Sequence, residues 1–305
     1  VSKHIELDQG LVVAAHGRHF VVESPEGRRL ICHPRGKKSE CVVGDRVRWM
    51  PVGQGPDAEG VIEHVEPRSN LFFRQDEFRT KSFAANLDQI LMLVAGEPMF
   101  SESQLSRALI AAEQAGIPAV LVLNKTDLPA AEAARERLQP YRAMGVTMLE
   151  VSLKRQPEAS TRTLRPQLQG RTTLVLGPSG TGKSTLINLM VPAAQAQVGE
   201  ISQALNSGRH TTTSTRWYWL DDVRSAALID SPGFQEFGLR QIEAAELAGL
   251  MPDLRAHVPE CRFYNCTHRQ EPGCGVRAAM ERGEISASRY RIYNELYDEL
   301  SQTRW

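Results

Sequence analysis

The sequence predicts a multidomain α/β chain: a small β-barrel, then a doubly wound, mainly parallel sheet around a P-loop, then a helical segment built about a cluster of soft metal ligands. Three observations carry this. Short strand-like runs punctuated by Gly, Pro and Asp fill residues 1–80. Apolar runs then alternate with helical patterns, and Gly177-Pro178-Ser179-Gly180-Thr181-Gly182-Lys183-Ser184 stands at a strand-to-helix junction. Near the C-terminus Cys261, Cys266, His268 and Cys274 crowd into one short loop.

The N-terminal runs are 10–15, 19–23, 29–32, 45–49 and 60–65. Five short strands suit a small barrel, and such barrels hold RNA through strand faces and loops bearing cations and aromatics. Arg28, Arg29, Arg35, Lys37, Lys38, Arg46 and Arg48 are the candidate cations, while Phe20 and Trp49 belong either to that surface or to the core. Cys32 and Cys41 are small buried apolar residues or surface thiols. Residues 72–86 read as a connector.

The sheet begins with the strand 87–95, followed by a helix over 101–115 with Ser101 at its N-cap and Gly116 at its end. A strand at 118–123, a helix at 129–143 and strands at 148–151, 172–176 and 225–229 continue the alternation. The strand 118–123 delivers Asn124-Lys125-Thr126-Asp127 at its carboxyl end, where open α/β sheets bind ligands. These match the guanine-reading Asn-Lys-x-Asp motif. The Asp127 carboxylate would accept from N1–H and the exocyclic amine of guanine, Asn124 would tie the loop to the P-loop, and the Lys125 stem would cover the purine.

In the P-loop, backbone N–H groups turn inward around phosphates, Lys183 brings a cation to the β- and γ-phosphates, and Ser184 offers a hydroxyl to Mg²⁺. The helix 184–190 turns its N-terminal dipole toward the anion. Gly177, Ser179, Gly180, Thr181, Gly182, Lys183, Ser184 and Thr185 are the candidate nucleotide contacts. Asp230-Ser231-Pro232-Gly233 follows a strand as a DxxG match, with Asp230 holding Mg²⁺ through water and the Gly233 N–H sensing the γ-phosphate. Gly208-Arg209-His210-Thr211-Thr212-Thr213 occupies the place of switch I, Thr212 being the candidate to complete the Mg²⁺ shell. Ser152, after the strand 148–151, is a guanine-loop residue or an ordinary loop serine. The guanine motif precedes the P-loop, whereas ordinary GTPases carry them in the reverse order. The pattern is that of a circularly permuted GTPase.

The chain has 305 residues, 41% hydrophobic and 24% charged, with a formal net charge of zero, so it is long enough for two or three domains and is neither disordered nor collagen-like. The neutral balance offers no global nucleic-acid signature. With no membrane-length apolar run and no leader pattern, the cytoplasm is the expected location and disulfides are not expected. Cys261, Cys266, His268 and Cys274 form the Cys₃His set of a closed tetrahedral zinc site, structural because no ligand position stays open.

The order of the guanine motifs, the Gly208–Thr213 hexapeptide and the cysteine cluster resemble the circularly permuted family of ribosome small subunit-dependent GTPase A (RsgA-type) over nearly the whole chain. The resemblance implies an N-terminal OB-fold β-barrel (1–80), a central circularly permuted P-loop GTPase domain (81–240) and a C-terminal helical zinc-binding domain (241–305). It implies late maturation of the small ribosomal subunit, contact with its rRNA, and GTP hydrolysis stimulated by the subunit, by a protein expected to be monomeric. Phe234 stands where Ras-like enzymes place a water-positioning Gln, so intrinsic turnover is expected to be slow, with Gln235 out of register. His210 is then the candidate to orient water, or else a solvated loop residue, and Lys183 is the second catalytic candidate. Gly180 replaces the Asn of potassium-activated GTPases. Arg289, Tyr290, Arg291 and Tyr293 on the last helix touch RNA or pack. A P-loop phosphotransferase is the alternative, and the guanine motifs argue against it.

Overall fold

The structure, a computed structural model, describes residues 7–36, 41–53, 59–77, 79–194, 214–233 and 236–302. Strands β1 (Asp8–His16), β2 (His19–Glu23), β3 (Arg29–Pro34), β4 (Arg46–Val52) and β5 (Glu59–Val65) pair in the order β1-β2-β3-β5-β4. The β1–β4 pairing, Asp8 opposite Trp49, closes them into a barrel. Its interior holds Val12, Val22, Val47 and Ile62 together with Phe20, Trp49, Cys32 and Cys41. The two aromatics are therefore core, and Trp49 Nε1 donates to the Gln9 carbonyl at 3.1 Å. Both cysteines are buried, and burial pushes the Cys32 thiol up to about 12, so neither is a surface thiol. Arg29, Arg35 and Arg48 pair with Glu23, Glu63 and Glu66 at 2.7, 2.8 and 2.8 Å; of the expected set Arg28 and Arg46 are exposed, as is the paired Arg35. Lys37 and Lys38 lie outside the described residues.

The expected connector is an antiparallel hairpin, β6 (Leu71–Gln75) and β7 (Thr80–Ala85). A bulge between Phe72 and Phe73 breaks its alternation, which hides it from a period-two reading. Buried Phe83 fastens it by stacking on Phe237, with Phe72 packed at a tilt against both rings.

The central sheet runs β10-β9-β8-β11-β13-β12. Strands β8 (Gln89–Ala95), β9 (Ala119–Asn124), β10 (Thr147–Glu150), β11 (Thr172–Leu176) and β13 (Ala227–Asp230) are parallel. Every residue of β8 is buried, as a central strand covered on both faces requires. Helices α1 (Glu102–Gln114), α2 (Ala130–Ala143), α3 (Pro157–Leu168) and α4 (Lys183–Met190) cover the faces. Ser101 caps α1 by accepting from the Gln104 N–H. Two elements were not foreseen. Helix α3 starts on Pro157, has no side-chain cap and buries only a sparse i, i+4 stripe of Ser160, Leu164 and Leu168. Strand β12 (Arg216–Trp219) is short and antiparallel to β13. Its far edge meets β1, with Ala14 opposite Arg216, and Trp219 Nε1 donates to the Glu23 carboxylate at 2.8 Å. Barrel and nucleotide sheet thus share one hydrogen-bonded ladder.

The C-terminal part contains a 3-10 helix at Ala244–Leu250, then α5 (Pro252–Arg255), α6 (Gly275–Glu281) and α7 (Ala287–Ser301). Arg289 on α7 is 2% exposed: its guanidinium donates to both Asp253 carboxylate oxygens at 2.8 and 3.0 Å and to Ser106 Oγ at 2.7 Å, and lies 5.2 Å from the Tyr141 ring centre. Tyr293 is also buried, and its hydroxyl donates to the Thr267 carbonyl. Neither is available to RNA. Tyr290 is partly buried and donates to the His268 carbonyl, while Arg291 remains exposed.

Candidate functional site

Parallel strands place their carboxyl ends on one side of the sheet, and there the loops after β9, β10, β11 and β13 surround a cavity of about 1280 Å³. Its lining includes Asn124, Lys125, Asp127 and Ser152 at one end. Ser179, Gly180, Gly182, Lys183, Ser184 and Thr185 line it with Asp230 and Gly233 at the other.

Asn124 joins the two ends. Buried at the tip of β9, its Nδ2 donates to the Thr181 carbonyl at 2.8 Å while its Oδ1 accepts from the Leu153 N–H at 3.1 Å. Gly182, at φ +107°, could carry no side chain: a Cβ would lie 2.4 Å from Asn124 Nδ2. The Lys125 ammonium donates to the Glu97 carbonyl at 2.7 Å, which holds its stem across the cavity rim. Ser152 donates its hydroxyl to Asp127 Oδ1, and that bond first, then the backbone and the charges of Arg155 and Lys125, keep the Asp127 carboxyl below its ordinary range. The Ser152 N–H, expected at the guanine oxygen, donates to Ser160 Oγ at 3.2 Å.

At the phosphate end, Lys183 Nζ donates to the Gly177 and Pro178 carbonyls at 2.8 and 2.9 Å, so the ammonium is held inside the loop's own curve. Burial lowers its pKa, and Asp230 opposes that. Asp230 is 7% exposed, and burial raises its carboxyl to about 6 against the pull of Lys183 and Arg216. Gly233 lies against this group: a Cβ there would be 3.1 Å from Lys183 Nζ. Ser184 and Asp230 both line this cavity and offer oxygen donors, the kind that Mg²⁺ prefers. Thr181 is buried and Gly177 packs on the Leu93 carbonyl, so these two shape the loop from behind. His210, Thr212, Phe234 and Gln235 lie outside the described residues. Lys81 of β7 also lines the cavity, and no motif announced it.

Cys261, Cys266, His268 and Cys274 bring four ligand atoms within 4.8 Å of one another. His268 Nδ1 is 3.4 Å from Cys261 Sγ and 3.6 Å from Cys274 Sγ, and the two sulfurs are 4.0 Å apart. A tetrahedron with zinc–ligand bonds of roughly 2.0–2.3 Å has edges of this size, so the donor set fits a structural zinc ion. The surrounding loop is ordered by Glu271, whose carboxylate accepts from the Thr267 N–H and hydroxyl and from the Arg269 and Gln270 N–H groups. Chelation is expected to remove about one zinc per chain and melt the loop, since such ions contribute on the order of 10 kcal/mol to folding. Amide exchange should accelerate at 261–274 and stay slow in β8 and β11. Protein purified without zinc, or unchanged exchange after chelation, would refute this.

The comparisons agree with the geometry. The family model described as RsgA GTPase matches residues 65–240. The chain is 62% identical over 304 residues to the small ribosomal subunit biogenesis GTPase RsgA of Variovorax paradoxus, covering 98% of this chain and 94% of that protein. It is 52% identical to the protein so named in Bordetella pertussis, covering 97% of each. Among solved structures, YjeQ from Thermotoga maritima superposes with a TM-score of 0.72 at 30% identity, over 98% of this chain and 100% of that one. YloQ, titled a circularly permuted GTPase, does so with a TM-score of 0.70 at 26% identity, over 100% and 99%. These matches support the hydrolase and not the phosphotransferase. A base-reading loop ahead of a P-loop, a closed barrel before them and a Cys₃His centre after them thus belong together: the chain is a member of the RsgA GTPase family of circularly permuted GTP hydrolases.

Proposed function

We propose that this GTPase acts in biogenesis of the small ribosomal subunit, in its late maturation, with hydrolysis stimulated by the subunit. The observation that carries the nucleotide part is the bond from Asn124 to the Thr181 carbonyl, which fixes the Asp127 loop against the P-loop along one cavity. The ribosomal part is supported by relatives named for small ribosomal subunit biogenesis and alike over nearly their whole length.

In this reading Asp127 accepts from the two guanine donors, and adenine has no such pair. Ser152 keeps that carboxylate ionised and aimed. Lys183 offsets phosphate charge; Ser184, Thr212 and Asp230 hold Mg²⁺, which when bound neutralises charge on the β- and γ-phosphates. His210 orients the attacking water once a partner docks its segment. Residues 1–80, 81–240 and 241–305 act as barrel, GTPase and zinc domains, and exposed Arg28 and Arg46 make the barrel the rRNA-facing part. The protein works as a cytoplasmic monomer.

Turnover of GTP should rise when purified small subunits are added. No rise would remove the ribosomal role and leave the hydrolase intact. Asp127→Asn is expected to weaken GTP binding about 10- to 100-fold, the worth of a charged hydrogen bond, and to shift preference toward xanthosine triphosphate. Unchanged preference would mean that the base is read elsewhere.

A further inference from the structure

The β6–β7 hairpin is bonded to the chain segment that follows the DxxG loop. The Gln75 N–H donates to the Gly238 carbonyl at 3.3 Å, the Arg240 N–H to the Gln75 carbonyl at 2.9 Å, and the Gly238 N–H to Asp76 Oδ1 at 3.0 Å. The Phe83 and Phe237 rings stack at 6.1 Å with 4° between their planes. The hairpin and the segment that follows the DxxG loop therefore form one packed unit, and that segment leaves the cavity at Gly233, beside Lys183.

From this unit Lys81 reaches the cavity wall. It is exposed, and its ammonium lies 5.6 Å from the Phe83 ring centre, so the side chain runs along the stacked pair. Its direct cross-strand partner is Arg74, and partners in register share a face. Like charges in that position cost stability. Arg74 answers only partly to Asp76, at 3.6 Å, and its Nε and Nη1 are shielded from solvent with no hydrogen-bond partner among the described residues. Of this same-face pair of cations Lys81 is the one that lines the cavity, where an anion can meet it. Partial burial and then the Arg74 charge also hold the Lys81 pKa below the usual lysine value.

Granted GTP as the occupant, we propose that Lys81 is a further catalytic residue, its ammonium contacting phosphate oxygens at the γ end and offsetting the charge that builds there in the transition state. Water attacks the γ-phosphorus, the bond to the β–γ bridging oxygen breaks with its electron pair leaving on GDP, and the water protons pass to phosphate and solvent. Lys81 remains protonated throughout and forms no covalent bond. Arg74 behind it keeps the ammonium forward by repulsion, and the hairpin's bonds to Gly238 and Arg240 make the position of Lys81 move with the DxxG segment.

Single-turnover hydrolysis by the full chain, with fluorescent GDP binding and thermal unfolding alongside, tests this. Lys81→Ala is expected to slow the chemical step on the order of 100-fold, the worth of one well-placed donor, with GDP affinity and unfolding midpoint near those of the parent protein. Lys81→Arg, which keeps the charge, should recover much of the rate. A parent-like rate in Lys81→Ala overturns the proposal, as does a Lys81→Arg variant no faster than Lys81→Ala, or a loss seen only as a lower unfolding midpoint. Parent protein that does not turn over GTP at all would instead sink the hydrolase itself.

Discussion

Replacing Lys183 by alanine is expected to cut GTP turnover about 10²- to 10³-fold, the effect of deleting one preorganised charge stabiliser. The geometry explains why nothing replaces it. Two loop carbonyls hold its Nζ at 2.8 and 2.9 Å, and the lack of a side chain at Gly233 lets the DxxG loop approach it. The lysine is buried enough for its charge to act in low dielectric, and the nearby Asp230 carboxylate favours that charge against the pull of burial. Lys183→Arg should rescue poorly, because a planar guanidinium cannot occupy a curve fitted to a compact ammonium. Turnover within a few-fold of the parent in Lys183→Ala would mean that the triphosphate is gripped by other groups.

Arg289→Ala is expected to destabilise the protein by about 3–5 kcal/mol, the cost of stranding a buried carboxylate. Three helices lose their common partner at once: Asp253 of α5, Ser106 of α1 and the Tyr141 ring of α2. Ser106 Oγ and the Tyr141 hydroxyl share a further bond at 2.9 Å, so the loss spreads along a connected network. Denaturant unfolding of the single variants and of Arg289→Ala with Asp253→Ala measures it. The double variant should cost less than the sum of the singles. A single variant within about 0.5 kcal/mol of the parent, as at an ordinary surface site, would exclude this role.

What was legible in the sequence follows from how local each signal is. The P-loop and Asn-Lys-x-Asp motifs are contiguous and sit at the ends of apolar runs, so their order was readable at once. The barrel strands and the Cys₃His set were legible for the same reason. Lys81 escaped notice because its place depends on a bulged hairpin and on Gly238, far along the chain. Arg289 stayed open between RNA contact and packing because helix periodicity cannot reveal a carboxylate from α5 waiting beneath it. Strand β12 escaped because four residues hold too few alternations to declare a strand, and its partner β1 lies at the opposite end of the sequence.

That last pairing has a bearing on biosynthesis. Because Ala14 meets Arg216, strand β1 finishes its ladder during translation only after the whole stretch through β12 has been made. The barrel, whose five strands are consecutive, can close early, and the purine-selecting loop is made before the loop that grips phosphate. In a nascent chain the seam between barrel and sheet therefore waits for β12, and the contacts of α1 with Arg289 and Glu299 wait longer still.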